Sequence, residues 1–355
     1  MSTSSPYLHT RLYTVEFLRV FFILVIVAGH ALQLVPDFAD NVKSFFRTTF
    51  FNLDIAVEYF FIIGGFFLYR RANFGTDVWA QIKKTYWRLM PCMMFALLLC
   101  VVLHIASFSK VVPKALTMTY GIGFEKKDIF PYGGWFLCTY FWVSCFLITL
   151  FSRYKQTAWL ILGICMYAGF CMMVHVPREF YHTHAFFGVI GEWVVRGILS
   201  MGLGMVGGFL SEKMQFTPQN KVLRLLLTIL EGYLLLCVWN SIMNSQHCRY
   251  DYQGLQILFT LIMVSISHSW GYISLFLNRA AWIQKISRYT LPTLMGSVVI
   301  LLLLLKNECF GMSGPCVLWC VIIGGAALGV MEYHLVENSP WLRRIRETEK
   351  KSSIV

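Results

Sequence analysis

Apolar residues along this chain fall into ten long segments, each bounded by polar or turn-forming residues. A helix needs roughly 20 predominantly apolar residues to cross a bilayer, and several segments reach that length. The pattern therefore predicts an all-α, polytopic integral membrane protein with about ten transmembrane helices. The predicted segments span residues 17–35, 50–68, 89–107, 134–151, 157–174, 189–210, 222–243, 254–270, 289–305 and 315–336.

Composition supports a membrane protein and excludes an ordinary soluble domain. Hydrophobic residues make up 57% of the 355 positions and charged residues only 14%, against about 25% charged residues in soluble domains. No cleavable signal peptide is recognisable, since the first apolar run is long enough to stay in the membrane as a helix. We predict one transmembrane domain at residues 1–340 and a basic cytoplasmic tail at residues 341–355.

The net charge of +12 reflects membrane topology rather than nucleic-acid binding. With the N-terminus inside, the predicted inner segments hold 20 of the 30 Lys and Arg residues and the outer segments hold 9. Cytoplasmic loops of membrane proteins carry such an excess of positive charge. The bias predicts that both termini are cytoplasmic, and it leaves Arg196 as the one basic residue inside the membrane.

The first apolar segment carries polar residues at both of its ends. Arg19 and His30 are eleven positions apart, which is three helical turns plus roughly 20° and about 16 Å along the axis. They therefore share one helix face, with Arg19 near the inner surface and His30 near the outer one. Glu16, three positions before Arg19, is placed to pair with it. Read separately, Arg19 is a snorkelling anchor and His30 an interfacial histidine; their shared face favours a joint function.

Two later segments contain charged pairs four positions apart, hence on one helix face. The second segment carries Asp54 and Glu58, and the sixth carries Glu192 and Arg196. Charged residues within transmembrane helices usually face the bundle interior or a wet cavity and mark functional sites. Structural pairing is the alternative reading for both. The pair Gly64–Gly65 in the second segment predicts a close approach of another helix.

The first inner loop concentrates positive charge in "YRR" at 69–71 and "KKTYWRLMP" at 83–91. One interpretation is ordinary topology; the other is an anion site in which Lys84 and Arg88 neutralise phosphates. Pro91 is predicted to lie near the start of the third helix. The cysteines show no metal-ligand spacing, so no metal site is predicted. Cys248 and Cys309 fall in predicted outer loops, which leaves a disulfide between them open.

These motifs, taken in order, resemble those of the membrane-bound acyltransferase 3 family, bacterial O-acyltransferases that modify cell-surface glycans. The family's first helix carries an acid, an arginine, ten residues and a histidine. Its second helix resembles "VEYFFIIGGF", with Glu58 as the acid. The remaining matches are "WRLMP" opening the third helix, "WFL" at 135–137 opening the fourth, and "VENSP" at 336–340 closing the last. Departures are Gly64 where relatives often have serine, Thr85 in a weakened two-arginine motif, and a ninth helix without its histidine.

The resemblance implies transfer of an acyl group, acetyl as the leading candidate, from cytoplasmic acyl-CoA to a hydroxyl of an extracytoplasmic or lipid-linked glycan. It also implies a bacterial inner-membrane location and no permanently bound cofactor. His30 would be the general base or the acyl carrier, since an imidazole suits proton transfer near neutral pH. The predicted roles are His30, Glu58 and Asp54 in catalysis; Arg19, Lys84 and Arg88 in donor binding; Trp135, Glu192 and Arg196 in substrate binding; and Glu16 and Glu337 in structure.

Two other functions fit the same polar residues. A transporter or flippase for a polymeric or lipid-linked glycan could use the polar face of the first helix as a conduit, and a non-catalytic partner in polysaccharide synthesis could carry the same motifs. His30 distinguishes them from an enzyme, because only catalysis requires a titratable imidazole there. The acyl group, the acceptor hydroxyl and the oligomeric state stay open at this point.

Overall fold

Ten long helices make up most of the described structure, one for each predicted segment. The computed structural model describes residues 12–33, 53–71, 77–119, 134–154, 156–175, 185–186, 190–214, 216, 218–243, 249–307, 314–340 and 342. The long helices are α1 (Tyr13–Gln33), α2 (Leu53–Arg71), α3 (Val78–Val102), α5 (Gly134–Arg153), α6 (Ala158–His175), α7 (Glu192–Lys213), α8 (Lys221–Met243), α9 (Arg249–His268), α12 (Thr290–Lys306) and α13 (Gly314–Glu332).

Short elements connect the long helices. They are α4 (Phe108–Leu116), α10 (Tyr272–Leu277), α11 (Ile283–Ser287), a π-helix at Tyr333–Glu337, and an antiparallel pair of two-residue strands, β1 (Ala185–Phe186) and β2 (Ile190–Gly191). Cys248 and Cys309 lie outside the described residues, so whether they form a disulfide stays open.

Six of the described helices are long and apolar enough to cross a membrane: α1, α3, α5, α7, α8 and α13. The helices α6, α9 and α12 are apolar but shorter, and α2 carries four charged residues. The all-α membrane architecture is confirmed, while the count of ten spans stays a prediction. On α8, only 17% of the apolar membrane-spanning stretch is buried inside the protein. Such an outward apolar face suits contact with lipid, since water would not favour it.

The start of the third helix was predicted wrongly. The helix begins at Val78, eleven residues before the predicted segment, and Pro91 lies inside it. Asp77 caps this start by accepting a hydrogen bond from the backbone N–H of Trp79 at 2.9 Å. The apolar pattern marks only the part of a helix that needs burial, so it misses a basic, exposed extension such as the one carrying Lys84.

Glycines bring α2 and α7 into close contact. A Cβ on Gly65 would collide with the backbone carbonyl of Met201, and a Cβ on Gly204 would collide with that of Ile62. Such small residues let helix backbones approach closely inside a membrane. Gly64 faces the ring of Tyr140 on α5 instead. The close approach predicted from Gly64–Gly65 is therefore confirmed, and it places α7 alongside α2.

The contacts between helices fix the direction of each one, so the two ends of the bundle can be told apart. Arg19 lies over Phe67 while Phe22 contacts Tyr59, so α1 and α2 are antiparallel. We call the two ends the Arg19 end and the His30 end, after the residues of α1 nearest to each. The C-terminal ends of α2, α5, α7, α9 and α13 lie at the Arg19 end, with the N-terminal ends of the other long helices.

A buried glutamate organises the Arg19 end. Glu231 of α8 accepts hydrogen bonds from the hydroxyls of Ser265 at 2.6 Å and Ser274 at 2.8 Å. It also accepts from the backbone N–H groups of Gly271 at 3.1 Å and Ser274 at 3.2 Å, at the start of α10. A Cβ on Gly271 would meet this carboxylate. Glu231 thus caps a short helix and ties α8, α9 and α10 together.

Candidate active site

Glu16, Arg19 and His30 lie on one face of an unbroken helix, because α1 runs from Tyr13 to Gln33. Glu16 and Arg19 form an ion pair with 3.3 Å between Oε2 and Nη1, as their spacing predicted. The Arg19 guanidinium lies 5.9 Å from the ring centroid of Phe67, and its side chain is 32% exposed. Arg19 is therefore held in position by α1 and α2 while its charge stays accessible.

His30 occupies the opposite end of the same face. Its side chain is half-buried, and the helical rise places it about 16 Å from Arg19 along the axis. Ile23 and Ile26 lie between the two on this face and are buried in the core shared with α2. The face that carries both polar residues therefore points into the bundle rather than into lipid.

Five helices form a ring around the space that this face borders. Helix α1 packs on α2, α2 on α5, α5 on α3, α3 on α12, and α12 on α1. Among the described residues, α1 and α3 stand on opposite sides of the ring and share no extensive packing.

A strip in the middle and C-terminal part of α2 faces this ring. It consists of Phe60, Gly64 and Phe67, which recur at helical spacing, and we call it the α2 strip. Phe60 lies 6.1 Å from Phe136 between ring centroids, Gly64 faces the ring of Tyr140, and Phe67 lies under Arg19. These aromatic side chains are only half-buried although they lie within long helices. Their partial exposure is what a cleft in the ring would produce.

Arg88 approaches the α2 strip from α3 through Tyr140. Its Nη2 donates a hydrogen bond to the Tyr140 hydroxyl at 3.1 Å, and its guanidinium carbon lies 5.5 Å from the ring centroid. Because Tyr140 covers Gly64, Arg88 lies about 10 Å inward from the end of α2 at Arg71. Lys84, one turn before Arg88, is exposed and closer to the Arg19 end. Arg19 and Arg88, both predicted donor-binding residues, thus approach neighbouring positions of the α2 strip.

A second polar cluster is fully enclosed between α2, α7 and α9. Arg196 pairs with Glu58 at 2.8 Å, and both side chains are only 2% exposed. The opposite oxygen of Glu58 accepts hydrogen bonds from the Ser200 hydroxyl and from the amide of Gln256, the latter at 3.0 Å. Gln256 also donates to Ser200 at 2.7 Å. Glu192 lies 3.8 Å from Arg196.

Two tryptophans close this cluster on its remaining sides. The Arg196 guanidinium carbon lies 5.7 Å from the ring centroid of Trp135 and 5.5 Å from that of Trp193. The two indole rings are themselves 4.0 Å apart between centroids. Cation–π contacts of this kind strengthen when they are desolvated. The surroundings of Arg196 leave almost no access for a substrate in this conformation.

The contacts of Tyr59, the next residue on α2, show where Glu58 lies along the bundle axis. Tyr59 contacts Phe22 at 4.5 Å between ring centroids and donates to the Val15 carbonyl at 3.2 Å. His30 lies eight residues beyond Phe22, about 12 Å further along α1. Glu58 therefore lies about two turns deeper than His30. Glu58 and His30 are therefore at different levels of the bundle.

Comparison with known families follows from this arrangement of a polar α1 face, a basic α3 and a buried acid on α2. Residues 12–332 match the sequence model of the acyltransferase 3 family, described as an acyltransferase domain. The chain belongs to the acyltransferase 3 family. No curated protein and no solved structure matches it.

The predicted site residues of this acyltransferase thus divide into two groups. Arg19, Arg88 and Lys84 lie around the ring or at its basic edge, and His30 shares the face of Arg19. The residues Glu58, Trp135, Glu192 and Arg196 instead form the enclosed cluster. The side chains of Asp54 and Glu337 fall outside what the structure describes. Across the described part of the chain, no three His, Cys, Asp or Glu side chains gather as a metal site would require.

Sequence reasoning missed several members of this acyltransferase's polar clusters. Ser200 lies four positions after Arg196, a spacing that could have indicated their common face. Glu231 is the only acidic residue of α8, which was the signal available for it. Gln256 is one of several polar residues on α9, so nothing singled it out. Tyr140 is hidden in an aromatic-rich segment that offered no reason to single it out.

Proposed function

We propose that this acyltransferase transfers an acyl group from acyl-CoA, entering at the Arg19 end, to a glycan hydroxyl at the His30 end. The observation that carries the proposal is the single face of α1 that bears both Arg19 and His30, with Arg19 lying over Phe67 of the α2 strip. The family supports acyl transfer as the reaction. The half-buried aromatic lining suits the long, largely apolar arm that joins the phosphates of CoA to its thioester.

The chemistry requires a base next to the acceptor. As the glycan oxygen attacks the thioester carbonyl, its proton moves to the imidazole of His30 and the C–O bond forms. The C–S bond then breaks, and the CoA thiolate takes up a proton to leave as the thiol. In the alternative route, His30 first accepts the acyl group and then passes it to the hydroxyl. Both routes need a neutral imidazole nitrogen, which a histidine supplies near pH 7.

The orientation we propose puts the Arg19 end in the cytoplasm of a bacterium, with the protein in its inner membrane. The 20-to-9 bias of Lys and Arg supports it. A topology reporter fused after Tyr69 should report a cytoplasmic location. One fused near Ser109 should report a location outside the cytoplasm. The opposite pattern would place His30 on the cytoplasmic side and contradict this proposal.

For the donor, we expect Arg88→Gln to weaken acyl-CoA binding by roughly ten- to a hundredfold, the range for losing a charge-assisted hydrogen bond. The fold should be unaffected, because Arg88 is exposed and bonds only to Tyr140 among the described side chains. Arg153→Gln, at the exposed end of α5, is the matched control. If both variants bind acyl-CoA as tightly as the wild type does, Arg88 does not bind the donor. Its charge then serves only membrane topology.

The proposed reaction is tested as a whole by mass spectrometry of surface glycans from cells with and without the gene. The added mass identifies the acyl group, and fragmentation identifies the sugar that carries it. If the glycan has the same acyl content in both strains, glycan O-acylation is excluded for these cells.

A further inference from the structure

Arg288 is held in place by two tyrosines at the start of α12. Its guanidinium carbon lies 4.8 Å from the ring centroid of Tyr289 and 5.0 Å from that of Tyr333. Its Nη2 donates a hydrogen bond to the Tyr289 hydroxyl at 2.8 Å, and the two rings meet edge to face at 4.9 Å. The side chain is exposed nonetheless. An arginine fixed in this way keeps most of its donors available for a ligand.

Three elements converge at this arginine. Tyr333 opens the π-helix, which packs on α3. Leu291, one turn after Arg288, packs against the core that α3 and α12 share. Arg288 therefore lies on the α3 side of α12, at the Arg19 end of the ring. π-Helical turns are rare and recur at functional sites, and this one begins at Tyr333, which lies against Arg288.

Four basic residues at this edge of the ring have no acidic partner within the described part of the chain. Lys84, Arg88, Lys285 and Arg288 make no ion pair with any residue that the structure describes. Several unpaired cations on adjacent helices repel one another, so an anion with more than one charged group would be attracted to the space they border. The planar guanidinium of Arg288 suits a phosphate monoester, which it can bind through two nitrogens.

We propose that Arg288 binds the 3′-phosphate of the CoA donor, a role that rests on the proposed function. The positions of the three arginines along the bundle axis indicate which phosphate group of CoA each would meet. Arg19 and Arg88 approach the α2 strip inside the ring, whereas Arg288 directly precedes α12 at its outermost edge. A donor that enters with its thioester first places the diphosphate behind the pantetheine arm, near Arg88. The 3′-phosphate on the ribose follows last, at the level of Arg288.

The experiment compares CoA with 3′-dephospho-CoA by calorimetric titration of the purified full-length protein in detergent. Wild-type protein should bind CoA about tenfold more tightly than 3′-dephospho-CoA, because an exposed charge-assisted contact lies at the lower end of its range. Arg288→Gln should weaken CoA binding by the same factor and should bind both compounds equally. Arg288→Lys should retain part of the preference for CoA, since lysine keeps the positive charge but lacks the paired N–H donors of the guanidinium.

Arg224→Gln is the matched control. Arg224 also lies over a tyrosine, 5.8 Å from the ring centroid of Tyr272, but it is on α8, away from the ring. This variant should keep the wild-type preference for CoA. If Arg288→Gln retains that preference, Arg288 does not hold the 3′-phosphate and the proposal is overturned. If wild-type protein binds neither compound, the CoA donor itself is wrong, and the role of Arg288 falls with it.

Discussion

Replacing His30 by glutamine should abolish glycan acylation while leaving the protein in the membrane at normal abundance. Glutamine keeps much of the size and the hydrogen-bonding capacity of histidine, but it can neither take up a proton nor carry an acyl group. Loss of a positioned general base costs about a hundredfold or more in rate. The acylated fraction of the glycan, measured by mass spectrometry, should therefore fall at least a hundredfold.

The fold should tolerate this change because His30 is only half-buried and lies close to the end of α1. His104→Asn is the control. His104 is an exposed histidine at the same end of the bundle, and its φ of 55° suits asparagine. That variant should acylate normally. Wild-type acylation by His30→Gln would show that His30 is not the base, and it would favour a conduit over an enzyme.

Features carried within one helix could be predicted from the sequence. Arg19 and His30 share a face because the helical period alone fixes their relation, and Glu16 meets Arg19 because residues three apart are neighbours on a helix. The glycine pair on α2 likewise indicated a close helix contact, although it did not say which helix would fill it. That partner proved to be α7.

Relations between helices could not be predicted in the same way. Glu192 was the expected partner of Arg196, yet Glu58 is closer to it by 1 Å, at 2.8 Å against 3.8 Å. Glu58 comes from α2, and periodicity within α2 contains no information about its neighbour. Arg288 was counted only as an inner basic residue, because nothing in the sequence showed that Tyr333 would lie against it.

The enclosed cluster separates two kinds of function within one bundle. Arg19 and His30 are partly exposed, whereas Arg196 is surrounded by two carboxylates and two indole rings. Buried ion pairs cost desolvation, so they are weak evidence of added stability, but breaking one leaves an uncompensated charge. We therefore expect Arg196 to position α2 against α7 rather than to contact the acceptor.

Arg196→Met should destabilise the protein by about 3–5 kcal/mol, the usual cost of removing one partner of a buried pair. It leaves Glu58 and Glu192 enclosed without the cation that lies between them. The midpoint of thermal unfolding in detergent should fall, and membrane abundance and acylation should fall together. Arg153→Met, a change of the same type at an exposed helix end, should unfold at the wild-type temperature.

The double variant Glu58→Gln/Arg196→Met distinguishes charge from packing. Glutamine at position 58 can still accept hydrogen bonds from Ser200 and Gln256. It also removes the negative charge that Arg196→Met alone leaves buried without its cation. The double variant should therefore be more stable than Arg196→Met alone, because residues in direct contact do not contribute additively. If it is less stable by the sum of the two single effects, Arg196 acts through its packing between Trp135 and Trp193. An Arg196→Met protein that unfolds at the wild-type temperature would instead show that the pair does not hold α2 and α7 together.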